Sequence, residues 1–263
     1  MSTNDAFDDS QFWRFEQLQE YCQLATRPEL SPADAKRISN IFRLAACDRL
    51  LTSWLDRADR LIDDRLDLGE LPDGDTIVSC LVLQDLTGRL TRVPPGKLTL
   101  ERFQKLVERV QLSDRFLDRY VCFDDAHFSR KLICRTRVCT IYAIGWKPGQ
   151  ISDVHHHGTA LDAIRVCRGQ LTHWFYDRPG SPTPLEERFG ENALVVVDRH
   201  QRHRMGNTST EDLVTLHVRF GSPPDDLNWV KDSDLHDSVK VPCDPNSPKE
   251  DICYLMPAIR PPN

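Results

Sequence analysis

A mainly β domain, a sandwich or barrel of short strands, preceded by an α-helical region, is the fold class that this sequence predicts. Two changes of texture carry that expectation. Up to about residue 115 the apolar residues recur at helical spacing. From about Tyr120 the chain turns into short β-rich runs punctuated by Pro and Gly, and many short strands argue for a sandwich or barrel.

The helical part has two well-marked elements. Ser31-Pro32 offers a cap and a first-turn proline, after which Ile38, Ile41, Phe42 and Ala45 repeat at helical spacing. A second stripe runs through Leu100, Phe103, Leu106, Val107 and Val110, just after the Pro94-Pro95-Gly96 break. Strands are expected over Val138–Ile144 and Leu194–Val197, where β-branched residues crowd. After Ser222-Pro223-Pro224 the chain is Asp- and Pro-rich without a period and is expected to wrap the surface. The division is therefore a helical region over 1–115, a barrel over 116–240 and a tail over 241–263.

Composition narrows the function. The 263 residues suffice for one large or two small domains, and no apolar run is long enough to span a membrane. A formal charge of −6 argues against nonspecific nucleic-acid binding, which needs clustered cations. The acidic start lacks a secretory signal, so the cytoplasm is the expected compartment. Nine cysteines without a Cys-x-x-Cys pair fit reduced, buried thiols better than a disulfide framework.

The chemistry concentrates in Gly149-Gln-Ile-Ser-Asp-Val-His155-His156-His157-Gly-Thr-Ala-Leu-Asp162 and the later Gly169. On a strand, residues two apart face one side, so His155 and His157 can aim inward while His156 points away. This spacing resembles the first cupin motif, with Asp162 where that motif usually carries Glu. His203-Arg-Met-Gly-Asn207 has the spacing that closes the second cupin motif, although Asp198-Arg199-His200 stands where a Pro-x-Gly turn is usual. The resemblance implies a cupin jelly-roll β-barrel with a metal held by His155, His157 and His203. Imidazoles suit iron, copper, nickel and zinc alike.

From Phe128 to Pro224 the chain also resembles the thiol dioxygenases of the cysteine dioxygenase type. Trp146-x-Pro148-Gly149 leads into His155-x-His157, His203 follows, and Thr215-Leu-His217 then Pro223-Pro224 completes the pattern. The resemblance implies ferrous iron as cofactor, with a small thiol and O2 as partners and a sulfinate as product. A thiol bound to such a metal loses its proton, and three neutral ligands leave positions open for reactants. Phe128-Ser129-Arg130 is similar to the segment whose arginine binds the substrate carboxylate, a role suited to a planar guanidinium. Thr215 and His217, two apart on an expected strand, would face one cavity, where His217 can donate a hydrogen bond to the reactants. A monomer is the favoured oligomeric state.

Two departures from that family matter. Animal members join a cysteine and a tyrosine near the iron, and Asp162 and Arg219 stand at those positions here, so no thioether can form. A charge-assisted contact between Asp162 and Arg219 is the expected substitute, and a second cation beside Arg130 would favour a dicarboxylic thiol such as mercaptosuccinate. Two other readings stay open: a cupin in which Asp162 is a fourth ligand, with other oxygenase or decarboxylase chemistry, and a non-enzymatic cupin that binds a small carboxylate.

Overall fold

Ser31 begins the second helix as its sequence predicts: its hydroxyl accepts from the Asp34 backbone N–H, and the Asp34 carboxylate accepts from the Ser31 N–H, satisfying two donors that a helix start leaves open. The computed structural model describes residues 9–67, 73–94, 96–176 and 183–221, together with the backbone of 239–242 and 252–255. Pro223-Pro224 and most of the tail lie outside the described residues.

The helices are α1 (Asp9–Ala25), α2 (Pro32–Ala45), α3 (Arg49–Asp67), α4 (Gly74–Thr91), α5 (Leu100–Val107) and α6 (Asp114–Leu117). Two compact units result, one running to Val82 and including Leu112–Phe116, the other comprising Leu83–Gln111 and the chain from Leu117. In the first, α1, α2 and α3 pack on one another around Leu18, Leu24, Ile41 and Leu55, and the Tyr21 hydroxyl donates to Asp59. Phe42, part of the expected stripe, stays exposed apart from its edge contact with Tyr21. No helix of the described residues is long and apolar enough to cross a membrane.

The second unit is a cupin-type jelly roll. Its strands are β1 (Ser129–Arg135), β2 (Cys139–Trp146), β3 (Leu161–Arg168), β4 (Leu171–Tyr176), β5 (Leu185–Phe189), β6 (Leu194–Val197), β7 (Arg202–Gly206), β8 (Leu213–Phe220), β9 (Val239–Pro242) and β10 (Ile252–Leu255). An antiparallel sheet of order β1-β2-β8-β3-β6 is accompanied by a three-stranded sheet, β5-β4-β7. Ile144, Trp146, Ile164, Val166, Leu171, Val197 and Met205 form the core of this unit. Helix α5 is anchored by Arg165 of β3, whose guanidinium donates to the Val107 and Glu108 carbonyls at 3.1 and 2.7 Å and so caps the helix end.

Beyond Pro224, β9 and β10 pair antiparallel; such short strands leave no periodic signal in a Pro-rich segment. One expectation needs correction, that the cysteines are reduced: Cys22, Cys47, Cys80, Cys122, Cys139 and Cys167 are free, but Cys134 on β1 is disulfide-bonded. Pairing depends on spatial approach that spacing along the chain does not reveal.

Candidate metal centre

The segment carrying His155 and His157 is not the expected strand. It runs irregularly between β2 and β3, held by isolated bridges of Ile151 to Gly206 and of His155 to His203. The inward and outward alternation nevertheless survives, because His155 and His203 exchange both backbone hydrogen bonds at 2.9 Å and so fix the extended course. His157 is buried, while His156 is exposed and accepts from the Gly158 N–H. His203 comes from β7, whose preceding turn places His200 at φ 61°. That left-handed conformation is one a glycine would adopt without strain, so His200 does the work of the glycine in the missing Pro-x-Gly turn. Asn207, fully buried, donates to the Trp146 carbonyl at 3.1 Å and to the Glu211 carbonyl at 2.7 Å, tying the end of β7 to β2.

These elements bring three imidazoles together. The His155 Nδ1 lies 2.8 Å from the Asp153 carbonyl oxygen, to which it donates, leaving Nε2 as its lone-pair nitrogen. His157 Nε2 and His203 Nε2 are 2.8 Å apart. Two nitrogens bound at right angles about 2.1 Å from one metal lie roughly 3 Å apart, so the pair fits a shared ion. Donor atoms of His155, His157 and His203 all lie within 4.8 Å of one another, and Asp162 falls outside this group. Burial pushes His155 below its ordinary value, His157 down to about 4 and His203 well below the usual range. All three are thus neutral at physiological pH, the form that binds a metal.

Asp162, on β3, is completely buried beside them. Its Oδ2 lies 3.2 Å from His157 Nε2 and 3.3 Å from Arg219 Nη2, and Oδ1 has no hydrogen-bond partner. Burial alone would raise this carboxyl, but the Arg219 guanidinium outweighs it and holds the group ionised. Arg219 also donates to the Tyr142 hydroxyl at 2.9 Å. The Tyr142 ring stacks on His217, with centroids 4.9 Å apart and planes at 11°.

Thr215 and His217 lie on β8 as expected, with different surroundings. Trp146 Nε1 donates to Thr215 Oγ1 at 2.9 Å, and Oγ1 is 3.1 Å from His217 Nε2. The ionised Asp162 carboxylate, 3.7 Å from His217 Nδ1, favours the hydrogen on that nitrogen, so Nε2 accepts from the Thr215 hydroxyl. That Nδ1 is 3.7 Å from Asp162 Oδ2, too far for a hydrogen bond, and has no hydrogen-bond partner. Arg130, on β1, lies over the Phe128 ring at 5.0 Å, and Phe128 packs on Trp146 with centroids 4.4 Å apart. Arg130, Tyr142, Asp162, His217 and Arg219 line one small cavity with His155 and His157. Thr215 does not line it and reaches it through Trp146 and His217.

Sequence reasoning missed two residues of this centre. Tyr142 lies within a run read only as a strand, and its place opposite His217 depends on the β2–β8 register. His173, fully buried on β4, lies with its Nε2 2.8 Å from His203 Nδ1. A histidine between Leu171 and Phe175 on one face of an apolar strand was the available signal.

Comparison with curated protein sequences gives no match. Among solved structures, a conserved protein with a double-stranded β-helix domain from Klebsiella pneumoniae is 18% identical, covering 40% of this chain and 87% of its own, with a TM-score of 0.36. A cupin superfamily protein from Desulfitobacterium hafniense is 9% identical, covering 38% of this chain and 83% of its own, with a TM-score of 0.33. The profile of one protein family, cysteine dioxygenase type I, matches residues 96–228, which hold every side chain of the centre described above. With just over half of its length matched in this way, the chain belongs to the cysteine dioxygenase type I family.

Proposed function

We propose that this protein is a mono-iron thiol dioxygenase that converts a small carboxylated thiol and O2 into the sulfinate. The observation that carries the reading is the convergence of three neutral imidazoles beside a cavity lined by two guanidiniums and one carboxylate. Held by His155, His157 and His203, ferrous iron would acidify a bound thiol and bring thiolate and O2 together at positions the protein leaves open.

The other residues act on the substrate. Arg130, braced against Phe128, grips the substrate carboxylate through its planar fork and orients the sulfur toward the centre. His217 presents Nδ1–H toward the cavity, its tautomer favoured by the Asp162 carboxylate 3.7 Å away, and donates to charge developing on the reacting oxygen or sulfur. Arg219 adds a second positive charge, partly offset by Asp162, so the cavity suits the carboxylate of thiols such as cysteine, 3-mercaptopropionate or the dicarboxylic mercaptosuccinate. We assign Asp162 to the surroundings of the metal, because Arg219 engages its Oδ2 and the converging donor set ends at the three imidazoles.

Oxygen-electrode measurements on the iron-loaded protein test this directly, with cysteine, 3-mercaptopropionate, mercaptosuccinate and cysteamine as substrates. Uptake with one of the carboxylated thiols, and little with cysteamine, is expected. Equal uptake with cysteamine would remove the carboxylate from the reading, and no uptake with any thiol would favour the non-enzymatic cupin.

A further inference from the structure

We propose that His173 is a positioning residue that fixes the ring and tautomer of His203, so that His203 presents its Nε2 lone pair to the metal. This rests on the three-imidazole centre proposed above but not on the thiol chemistry.

The position of the hydrogen on His203 decides which nitrogen can bind. Its Nε2 faces His157 Nε2 at 2.8 Å, and to bind a metal there it must carry a lone pair. The hydrogen of the neutral ring then sits on Nδ1, 2.8 Å from His173 Nε2, which accepts it. His173 in turn carries its own hydrogen on Nδ1, and that atom is buried without a hydrogen-bond partner. The orphaned nitrogen is therefore accounted for by the tautomer that the metal ligand requires.

Packing holds the acceptor in place. Phe175 meets the His173 ring at 4.0 Å between centroids and 63°, and Phe189 meets it at 6.5 Å and 73°. In the β4–β7 ladder His173 stands opposite Met205 and Phe175 opposite His203, so the two histidines are diagonal neighbours on adjacent strands, within reach of side chains of this length. A leucine in this apolar setting would leave no orphaned donor, so the pocket alone gives no reason for an imidazole. Its contact with His203 does. His155 has an equivalent support in the Asp153 carbonyl, so two of the three proposed ligands have their far nitrogen fixed.

The test uses cobalt(II) as the probe, titrated into the metal-free full-length protein and followed by its ligand-field absorption. His173→Leu is expected to weaken cobalt binding about 10- to 100-fold and to alter the spectrum. His173→Gln, whose amide oxygen can accept the same hydrogen, should stay within a few-fold of the parent. The metal-free leucine variant exchanges one unpartnered buried donor, His173 Nδ1–H, for another, His203 Nδ1–H, so it should melt close to the parent while its cobalt affinity falls. In the parent cobalt protein the His203 Nδ1 proton should appear as a hyperfine-shifted resonance that exchanges slowly with solvent, a readout that needs no variant to fold. Unchanged affinity in the leucine variant, or rapid exchange of that proton, would overturn the role of His173 while leaving the centre intact. Failure of the parent to bind cobalt through imidazoles would overturn both.

Discussion

Asp162 on β3 and Arg219 on β8 are direct partners in the antiparallel register, and the guanidinium Nη2 lies 3.3 Å from the carboxylate Oδ2. Residues opposed in this way stand with Cβ atoms about 4.5–5.5 Å apart on one face of the sheet. The pair makes a charge-assisted contact across the two strands. The carboxylate is fully buried and the guanidinium largely so, and removing either partner leaves an uncompensated charge.

Asp162→Asn and Arg219→Ala are therefore expected to damage activity comparably, with the double variant less harmful than the sum. Denaturant unfolding should give a coupling of about 0.5–3 kcal/mol between the two sites. Asp162→Asn should retain most of its iron by elemental analysis; a sharp loss confined to that variant would make Asp162 a ligand and favour the four-ligand cupin.

Arg130→Ala should lower kcat/KM on the order of a hundredfold, from the loss of two charge-assisted hydrogen bonds of about 1.5–3 kcal/mol each, at nearly unchanged iron content. Steady-state kinetics beside metal analysis separate the two effects. Unaltered kinetics would exclude Arg130 from the substrate site.

Acid should destabilise the metal-free protein well before its carboxylates titrate. Burial pushes His155, His157, His173, His203 and His217 all below the ordinary histidine value, His157 to about 4 and His173 to about 3. Unfolded, these rings bind protons as the pH falls through about 6.5; folded, they do not until lower pH, so the unfolded state gains protons first. Stability should fall from pH 7 to pH 5 by up to about 1.4 kcal/mol per pH unit for each ring. A urea midpoint that stays level or rises on acidification would contradict the buried neutral imidazoles.

How much of this was legible in the chain depends on which interactions are local. The spacing of His155, His157, His203 and Asn207 encodes the centre because each motif is read along one short segment. The mistaken strand at His155 shows the limit: its extended course comes from hydrogen bonds to His203, a partner 48 residues away whose register the sequence does not state. Tyr142 and His173 stayed hidden for the same reason, since each matters through its position opposite β8 or β7. Asp162 and Arg219 could be paired in advance only because the family resemblance supplied the proximity that the β3–β8 ladder provides physically.

The turn before β7 offers a stability test apart from the chemistry. His200 holds φ at 61°, a conformation in which an L side chain is strained by about 1–2 kcal/mol. Part of this is offset by the greater freedom of glycine in the unfolded chain. His200→Gly is expected to raise unfolding stability by about 0.5–1 kcal/mol without changing iron content. Calorimetry that shows a loss instead would mean the His200 ring contributes more than its backbone costs.

Delivery of both oxygen atoms of O2 to one thiol sulfur can be followed by isotope labelling. The iron-loaded protein is supplied with its best carboxylated thiol under heavy-oxygen gas, and the product is weighed by mass spectrometry. A sulfinate in which both sulfinate oxygens carry the label is expected. A product with one labelled oxygen, a disulfide, or a sulfinate whose oxygens come from water would contradict it.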